Sequence, residues 1–433
     1  MKAVVHQPRY RISVERERQP RLELISSEER LVLGSSAQAD LVIDDPTVSG
    51  IHCELAREEE GFVLRDLKSA HGTWISGVRV REVVLPTEAR FEVGGVRVSC
   101  GQVSGLAEIP LHPENFFGGL MGESAMMRAV FARLARVATR DITVLLEGES
   151  GTGKELAARA IHEASARRAG PFVVIDCGAI PATLIDAELF GHERGAYTGA
   201  SSPRPGAFVQ AEGGTIFLDE VAELDLELQP RLLGALERRE VKPIGAAQPV
   251  PIDVRIVAAT NQDLRRRANE GLFREDLYYR LAVARVRLPS LRERASDIPM
   301  LVRHFIRQHA QKDGVDYPID EDLVARLALA AWPGNVRELR NVVEQVVAFG
   351  IEEVRVVEAP REPVRLDTPF KTAKAQILAA FEHEYLVALL AQHGGNITAA
   401  ASAAELDRVH FLRLLDRYGL RKSRSSSPPA QRA

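Results

Sequence analysis

The octapeptide GESGTGKE, Gly148 to Glu155, follows directly on the apolar run TVLLEG and opens a helical pattern. A strand that turns through glycines into a helix belongs in an α/β domain built on a parallel sheet. The surrounding chain agrees, because FVVID, TIFLD and DVRIVAAT are apolar runs separated by helical patterns. The glycines let backbone N–H groups come close to a phosphate with no Cβ in the way. The helix N-terminus adds its positive dipole, and Lys154 can reach the β- and γ-phosphates of a nucleotide. TIFLDE then ends its strand in Asp219 and Glu220, the residue types needed to hold Mg2+ and to polarise an attacking water. Glu155 stands where a Ser or Thr hydroxyl usually meets the metal.

At 433 residues the chain has room for about two to four domains. With 45% hydrophobic and 27% charged residues it falls outside the collagen-like, disulfide-framework and wholly disordered classes. No stretch approaches the roughly 18 consecutive apolar residues of a membrane span, and MKAVVHQPRYRI lacks the apolar core of a secretory signal. The expected location is therefore cytoplasmic, with no membrane partner. Cys53, Cys100 and Cys177 lack any metal-ligand or CxxC spacing and read as reduced packing residues. The net charge is -4, from 56 basic against 60 acidic side chains, so any attraction to DNA must be local. Between Asn396 and Arg424 it is: Arg408, Arg413, Arg417, Arg421, Lys422 and Arg424 face only Glu405, Asp407 and Asp416.

The sequence divides into a multidomain chain. Residues 22–100 are short β-runs between DDP, EEEG and GG turns, which predicts a β-sandwich. Residues 101–118 read as a linker, 119–350 as the α/β domain with a helical lid from about Ser296, and 351–372 as a second, proline-rich linker. Residues 373–420 are Ala- and Leu-rich with helical spacing, and 421–433 predict a disordered tail. Within GGNITAAASAAELDRVHFLRLLDRYGL, two helices around a tight turn would bury Ile397, Ala400, Ala401 and Ala404 against Phe411, Leu414, Leu415 and Tyr418. Arg408, His410, Arg413 and Arg417 would then face outward.

GESGTGKE, ELFGHERGAYTGA, GGTIFLDE, FREDLYYRL and WPGNVREL occur in one order. Together they resemble the AAA+ P-loop ATPase domain of the sigma-54-dependent transcriptional activators over roughly residues 119 to 350. In that family Glu at the position of Glu155 is usual. The resemblance implies that Gly148, Glu149, Ser150, Gly151, Thr152, Gly153, Lys154 and Glu155 bind ATP, with Asp219 holding Mg2+ and Glu220 as catalytic base. It gives Asn261 the part of a γ-phosphate sensor and Arg337 that of a lid arginine contacting the nucleotide of its own chain. Arg274 and Arg280 resemble arginine fingers that reach a neighbouring subunit's nucleotide, which implies a ring, a hexamer in the family. Gly195, Ala196, Tyr197, Thr198, Gly199 and Ala200 form the loop that contacts sigma-54, with Tyr197 where Phe is usual. Asp176 replaces a usual Asn, and its carboxylate near Glu220 would be repulsive unless protonated or metal-linked.

The C-terminal pattern resembles a Fis-type helix-turn-helix, which implies DNA contacts by Arg408, His410, Arg413 and Arg417 at an upstream promoter site. Glu405 departs from the usual turn glycine. Residues 22–100 resemble a forkhead-associated (FHA) domain, retaining Gly34, Ser49, His52, Gly72 and Thr73. That implies a phosphothreonine-protein contact through Ser35, Ser49 and His52, with Arg57 as support. Ser35 stands where a phosphate-facing Arg is usual, and His71 and Ser76 where Asn is usual, so a phosphate-independent protein contact stays open beside it. The function implied is ATP-driven remodelling of the closed complex of sigma-54 RNA polymerase into the open complex. The alternatives are a DNA-binding regulator or scaffold with an uncoupled ATPase, and an AAA+ enzyme that remodels another protein.

Overall fold

The computed structural model describes residues 4–350 except 16–20, 29, 37–38, 59–60 and 197–201, and beyond them residues 382, 385–386, 389, 397–404 and 406–417. Residues to 359 form one compact unit and the remainder a second. The expected linker 351–372 and tail 421–433 lie outside the described residues.

The N-terminal β-sandwich is built from β1 (Val4–Glu15), β2 (Leu22–Ser26), β3 (Arg30–Gly34), β4 (Leu41–Val42), β5 (Cys53–Glu58), β6 (Gly61–Asp66), β7 (Thr73–Ile75), β8 (Val78–Val80), β9 (Glu82–Leu85), β10 (Glu88–Val93) and β11 (Val96–Pro110). Its two sheets are ordered β2-β1-β11-β10-β7-β8 and β4-β3-β5-β6-β9. Strand β10 shows the cause: Ala89, Phe91 and Val93 are buried while Glu88, Arg90 and Glu92 are exposed, the period-two pattern of a sheet with one dry face. Tyr10, Ile12 and Val14 join Phe91 and Val93 in the core between the sheets.

Two boundaries differ from the sequence reading. The sandwich begins at Val4 rather than residue 22, and residues 101–110 are strand rather than linker, because β1 pairs with β11 from Val4↔Pro110 to Glu15↔Arg97. Gly101 suggested a break, but it pairs with Arg11 in that ladder, while Gly105 falls at the irregularity where the partner of Pro8 is Leu106 and that of Arg9 is Val103. The alternation in β1 was obscured by charged neighbours and by Pro8, where the register shifts.

A short hairpin, β12 (Phe116–Phe117) and β13 (Leu120–Met121), leads into the α/β layer. Its elements run α1 (Ala125–Ala138), β14 (Val144–Glu147), α2 (Lys154–Glu163), β15 (Phe172–Asp176), α3 (Ala182–Phe190), β16 (Gly191–His192), β17 (Arg204–Pro205), α4 (Ala207–Gln210) and β18 (Thr215–Asp219). They continue as α5 (Gln229–Arg238), β19 (Glu240–Val241), β20 (Val250–Pro251), β21 (Arg255–Thr260), α6 (Leu264–Asn269), α7 (Glu275–Leu281) and β22 (Ala284–Arg287). The central sheet is parallel in the order β15-β18-β21-β14-β22. Every residue of β21 is buried, as a strand covered by helices on both faces requires. Its first residue, Arg255, spends its buried guanidinium on the Val137 and Ala138 carbonyls that end α1, at 2.8 and 2.9 Å.

The lid follows as α8 (Ile298–Asp313), α9 (Glu321–Ala328) and α10 (Asn335–Phe349), around Leu301, Val302, Leu323, Trp332 and Leu339. Cys53, Cys100 and Cys177 are free and buried, as the packing reading expects. Burial pushes the Cys100 thiol up to about 11 and Cys177 up to about 12, so neither is a thiolate at neutral pH. In the second unit, helices Ile397–Ala403 and Arg408–Arg417 bury Ala400 and Ala401 against Phe411 and Leu415, with Leu386 and Leu389 beneath. No helix among the described residues is long and apolar enough to cross a membrane.

Candidate nucleotide site and the outlying surfaces

The octapeptide loops from the end of β14 into α2. Gly151 has φ +79° and Gly153, which caps α2, has φ +105°, backbone that residues with a Cβ rarely adopt. This turns the loop amides around the head of α2. Lys154 is buried at its first position, and its Nζ donates to the Gly148 carbonyl at 3.0 Å and to Glu220 Oε1 at 3.2 Å. The other carboxylate oxygen of Glu220 accepts from the Asn261 backbone N–H at 3.0 Å. Glu220 sits at φ +48°, a strained position for a non-glycine residue, and it is held there from two sides. Asp219 ends β18, and burial raises its carboxyl above the usual carboxylate range; Lys154 opposes the shift and Glu220 adds to it.

The lysine, the paired carboxylates and the end of β21 thus meet at the loop, as the sequence spacing required. Thr152 is buried and donates its hydroxyl to the Glu149 carbonyl at 2.8 Å, whereas Glu155 is exposed beside Arg159. Arg337 donates to Ser150 Oγ at 3.0 Å, so the lid arginine does reach the loop of its own chain. Asp176 pairs in register with Asp219, yet its Oδ1 accepts the Gly178 and Ala179 N–H groups at 3.0 and 3.1 Å. It caps its own turn and makes no hydrogen bond to Glu220 among the described contacts.

Glu149, expected among the nucleotide-binding loop residues, turns to the lid instead, and Asn335 was not anticipated as a site component. Glu149 faces the lid: its Oε2 accepts from Arg292 at 2.8 Å and from Asn335 Nδ2 at 3.1 Å, and the Arg292 hydrogen bond holds its carboxyl below the usual range. Asn335 is fully buried at φ +54°, donates also to the Ser150 carbonyl at 3.0 Å, and accepts the Leu291 N–H at 2.7 Å. It ties the lid to the phosphate loop. The signal was present in WPGNVREL, since Asn after Pro-Gly readily takes the left-handed conformation.

The remaining expected residues lie away from this cluster. Arg274 forks onto Asp276 at 3.1 and 2.7 Å, and Arg280 is exposed on the same short helix, α7. Gly195 is exposed and Ala196 half-buried, while Tyr197, Thr198, Gly199 and Ala200 lie outside the described residues. In the second unit His410 and Arg413 are exposed, and Arg408 and Arg417 begin and end their helix. Glu405 and Tyr418 lie outside the described residues. In the sandwich, Ser35 Oγ donates to the Val48 carbonyl at 2.8 Å, and Ser49 Oγ accepts the Ala70 N–H at 3.1 Å. His52 is fully buried, with Nδ1 accepting the Ser49 N–H and Nε2 bonded to the Gly72 carbonyl, each at 3.0 Å. It supports the loops instead of facing a ligand. Arg57 lies toward the far end of β5, near Tyr10, and does not join Ser49.

Comparison with known proteins agrees with this arrangement. The Sigma-54 interaction domain family matches residues 120–287, the AAA+ ATPase lid domain 292–362 and the FHA domain 31–94. The DNA-binding transcriptional regulator NtrC of Rhizobium meliloti is 42% identical over 344 residues, which cover 71% of this chain and 71% of that one. The transcriptional regulatory protein GlrR of Escherichia coli is 44% identical over 316 residues, covering 72% of this chain and 70% of GlrR. Among solved structures, NtrX from Brucella abortus in complex with ADP superposes with a TM-score of 0.52 at 36% identity, covering 69% of this chain and 70% of that one. The chain, an FHA sandwich followed by a sigma-54 interaction domain and its AAA+ lid, belongs to the sigma-54-dependent transcriptional regulators.

Proposed function

We propose that the chain binds ATP with Mg2+ at the loop 148–155, hydrolyses it, and uses the reaction to convert the closed complex of sigma-54 RNA polymerase into the open complex. The observation that carries this reading is the meeting of Lys154, Glu220 and the end of β21 beside the φ-positive glycine loop, with Asp219 one residue away. The residues fit the group: Lys154 supplies the cation for the terminal phosphates and Arg337 the second positive charge. Asp219, whose burial disfavours its charged form, is the carboxylate that a divalent cation would stabilise. Bound Mg2+ would neutralise charge that develops between the β- and γ-phosphates. Glu220, anchored by Lys154 and the Asn261 N–H, is placed to orient water, and Asn261 lies at the same strand end to sense the terminal phosphate.

Arg274 at the N-cap of α7 and Arg280 within the helix stand exposed, where they can act on a neighbouring copy. This favours a homo-oligomeric ring, a hexamer by family resemblance. The loop 195–200 would carry the stroke to sigma-54. The paired helices of the second unit would anchor the ring at upstream promoter DNA through Arg408, His410, Arg413 and Arg417, and the FHA sandwich would be the regulatory input.

Glu220→Gln tests the hydrolytic assignment. ATP affinity should be kept while turnover falls about 10²- to 10⁴-fold, the range for removing a positioned general base. Turnover within threefold of wild type would contradict it. For the DNA assignment, Arg408→Ala should weaken binding to a specific upstream site by about 1 to 3 kcal/mol in a titration at fixed salt, with non-specific binding little changed. Equal losses on both DNAs would make Arg408 a phosphate contact instead.

A further inference from the structure

The loop end of the FHA sandwich, where the resemblance places ligand recognition, is already engaged by its own chain. Asn269, the last residue of α6, donates its side-chain amide to two sandwich carbonyls, Ile51 and Leu67, each at 2.7 Å. Tyr279 on α7 donates to Ser36 Oγ at 3.3 Å, and Arg285 on β22 lies 3.6 Å from Asp40. Lys68 pairs with Glu270 at the rim. Beneath them Arg265 of α6 reaches into the sandwich to Glu54 at 3.4 Å, with the two side chains only 5% and 2% exposed. Val32, Ala39, Ile51 and Leu67 of the sandwich belong to the same buried cluster as Leu264, Leu277 and Tyr278 of the ATPase domain. Glu54 is also paired within the sandwich with Arg30 and Arg65, at 3.6 and 3.8 Å, so Arg265 joins a buried charge cluster flanked by apolar residues, which marks a formed interface.

An acidic group stands at the edge of this interface. The Glu275 carboxylate, which accepts from Tyr279 Oη at 3.1 Å, comes within 3.3 Å of the place a Cβ on Gly50 would occupy, next to Ser49 and Ser36. The side chains that would read a phosphate are otherwise committed. Ser35 bonds Val48, His52 is buried under the loop, and Arg79, the arginine beside Gly72 at this loop end, donates to the Ser69 carbonyl at 3.2 Å.

We infer that the recognition end of this FHA domain is a phosphate-independent docking face whose partner is the α6–α7 corner of its own ATPase domain. The inference rests on the FHA and ATPase reading above and decides how the FHA domain is wired to it. The contact face of α7 is Tyr278 and Tyr279, with the exposed Glu275 at its edge, while Arg280 and the N-cap Arg274 stay exposed. The sandwich therefore grips the helix that carries the proposed fingers on another face, leaving Arg280 exposed and Arg274 exposed in its pair with Asp276.

Hydrogen exchange on the full chain tests this, comparing wild type with Asn269→Ala. A second series takes Lys68→Glu and the swapped pair Lys68→Glu/Glu270→Lys. Exchange in Asn269→Ala should rise about tenfold or more on both sides together, at residues 32–36 and 49–52 and at residues 264–282, as expected for loss of two part-buried hydrogen bonds across the contact. Strands β1 and β18 should stay protected. Lys68→Glu should give a smaller rise that the swapped pair reverses; if Asn269→Ala also loosens β1, this series decides alone. A rise on one side only, or none in either series, would overturn the docking. A fluorescein-labelled pool of phosphothreonine peptides at micromolar concentration should bind neither wild type nor Asn269→Ala. Saturable binding with the unphosphorylated pool silent would overturn phosphate independence. ATP turnover on the same samples keeps the two readings apart, since its absence with docking intact would sink the hydrolytic assignment alone.

Discussion

Lys154→Ala should abolish measurable ATP turnover, a fall of about 10²- to 10³-fold or more, the scale for deleting one preorganised cation at a developing anion. The lysine is buried, and its Nζ is fixed between the Gly148 carbonyl and Glu220 Oε1. It is thus aimed at the phosphates before any nucleotide arrives, and no other described side chain donates to that carbonyl. Removing it also leaves Glu220 facing the Asn261 N–H with its charge less compensated, so nucleotide affinity should fall along with turnover. Steady-state hydrolysis with a nucleotide titration checks both, and a melting curve confirms that the variant is folded. Hydrolysis within tenfold of wild type would remove the loop from the mechanism.

The largest expected effect on stability lies elsewhere, at Asp297. Its carboxylate is fully buried and accepts the Glu123 and Ser124 N–H groups at 2.9 and 2.7 Å and the Ser124 hydroxyl at 2.8 Å. Ser124 in turn caps α1 by accepting the Met127 N–H. One side chain at the start of the lid therefore fixes the start of the α/β layer, and its loss leaves three part-buried donors without their acceptor while emptying a buried site. Asp297→Ala should cost about 3 to 5 kcal/mol. At roughly 2 to 4 °C per kcal/mol for a domain of this size, the ATPase-domain transition should fall by about 6 to 20 °C in calorimetry. Asp297→Asn, which keeps an acceptor, should lose about 1 to 2 kcal/mol. A shift below about 2 °C in the alanine variant would mean that α1 is held by other contacts.

The nucleotide cluster was legible because each of its parts is local. A glycine-rich turn, a lysine at a helix start and an acidic pair at a strand end each follow from neighbouring residues, and the sheet order brings them together. Edge strand β22 escaped notice because its four residues, ARVR, alternate charge with small apolar groups and resemble the adjoining helix. Strand β1 was missed for a related reason, its buried Tyr10, Ile12 and Val14 lying among Arg, Glu and Pro. What could not be read at all were pairings across long separations in sequence. Asn269 to Ile51, Asp297 to Ser124 and Asn335 to Ser150 carry no periodicity or spacing, and the residue types alone are ordinary loop and cap residues. The opposite case is His52, which the motif singled out as a ligand contact and which proves to be the buried support of its loop.

The central claim is that hydrolysis at this site drives promoter opening. Open-complex formation on a sigma-54 promoter with the purified full chain addresses it most directly, comparing ATP with a non-hydrolysable analogue and wild type with Thr198→Ala. The account predicts opening with ATP, none with the analogue, and loss of opening in Thr198→Ala while its ATP turnover persists. Opening with the analogue, or normal opening by Thr198→Ala, would contradict it.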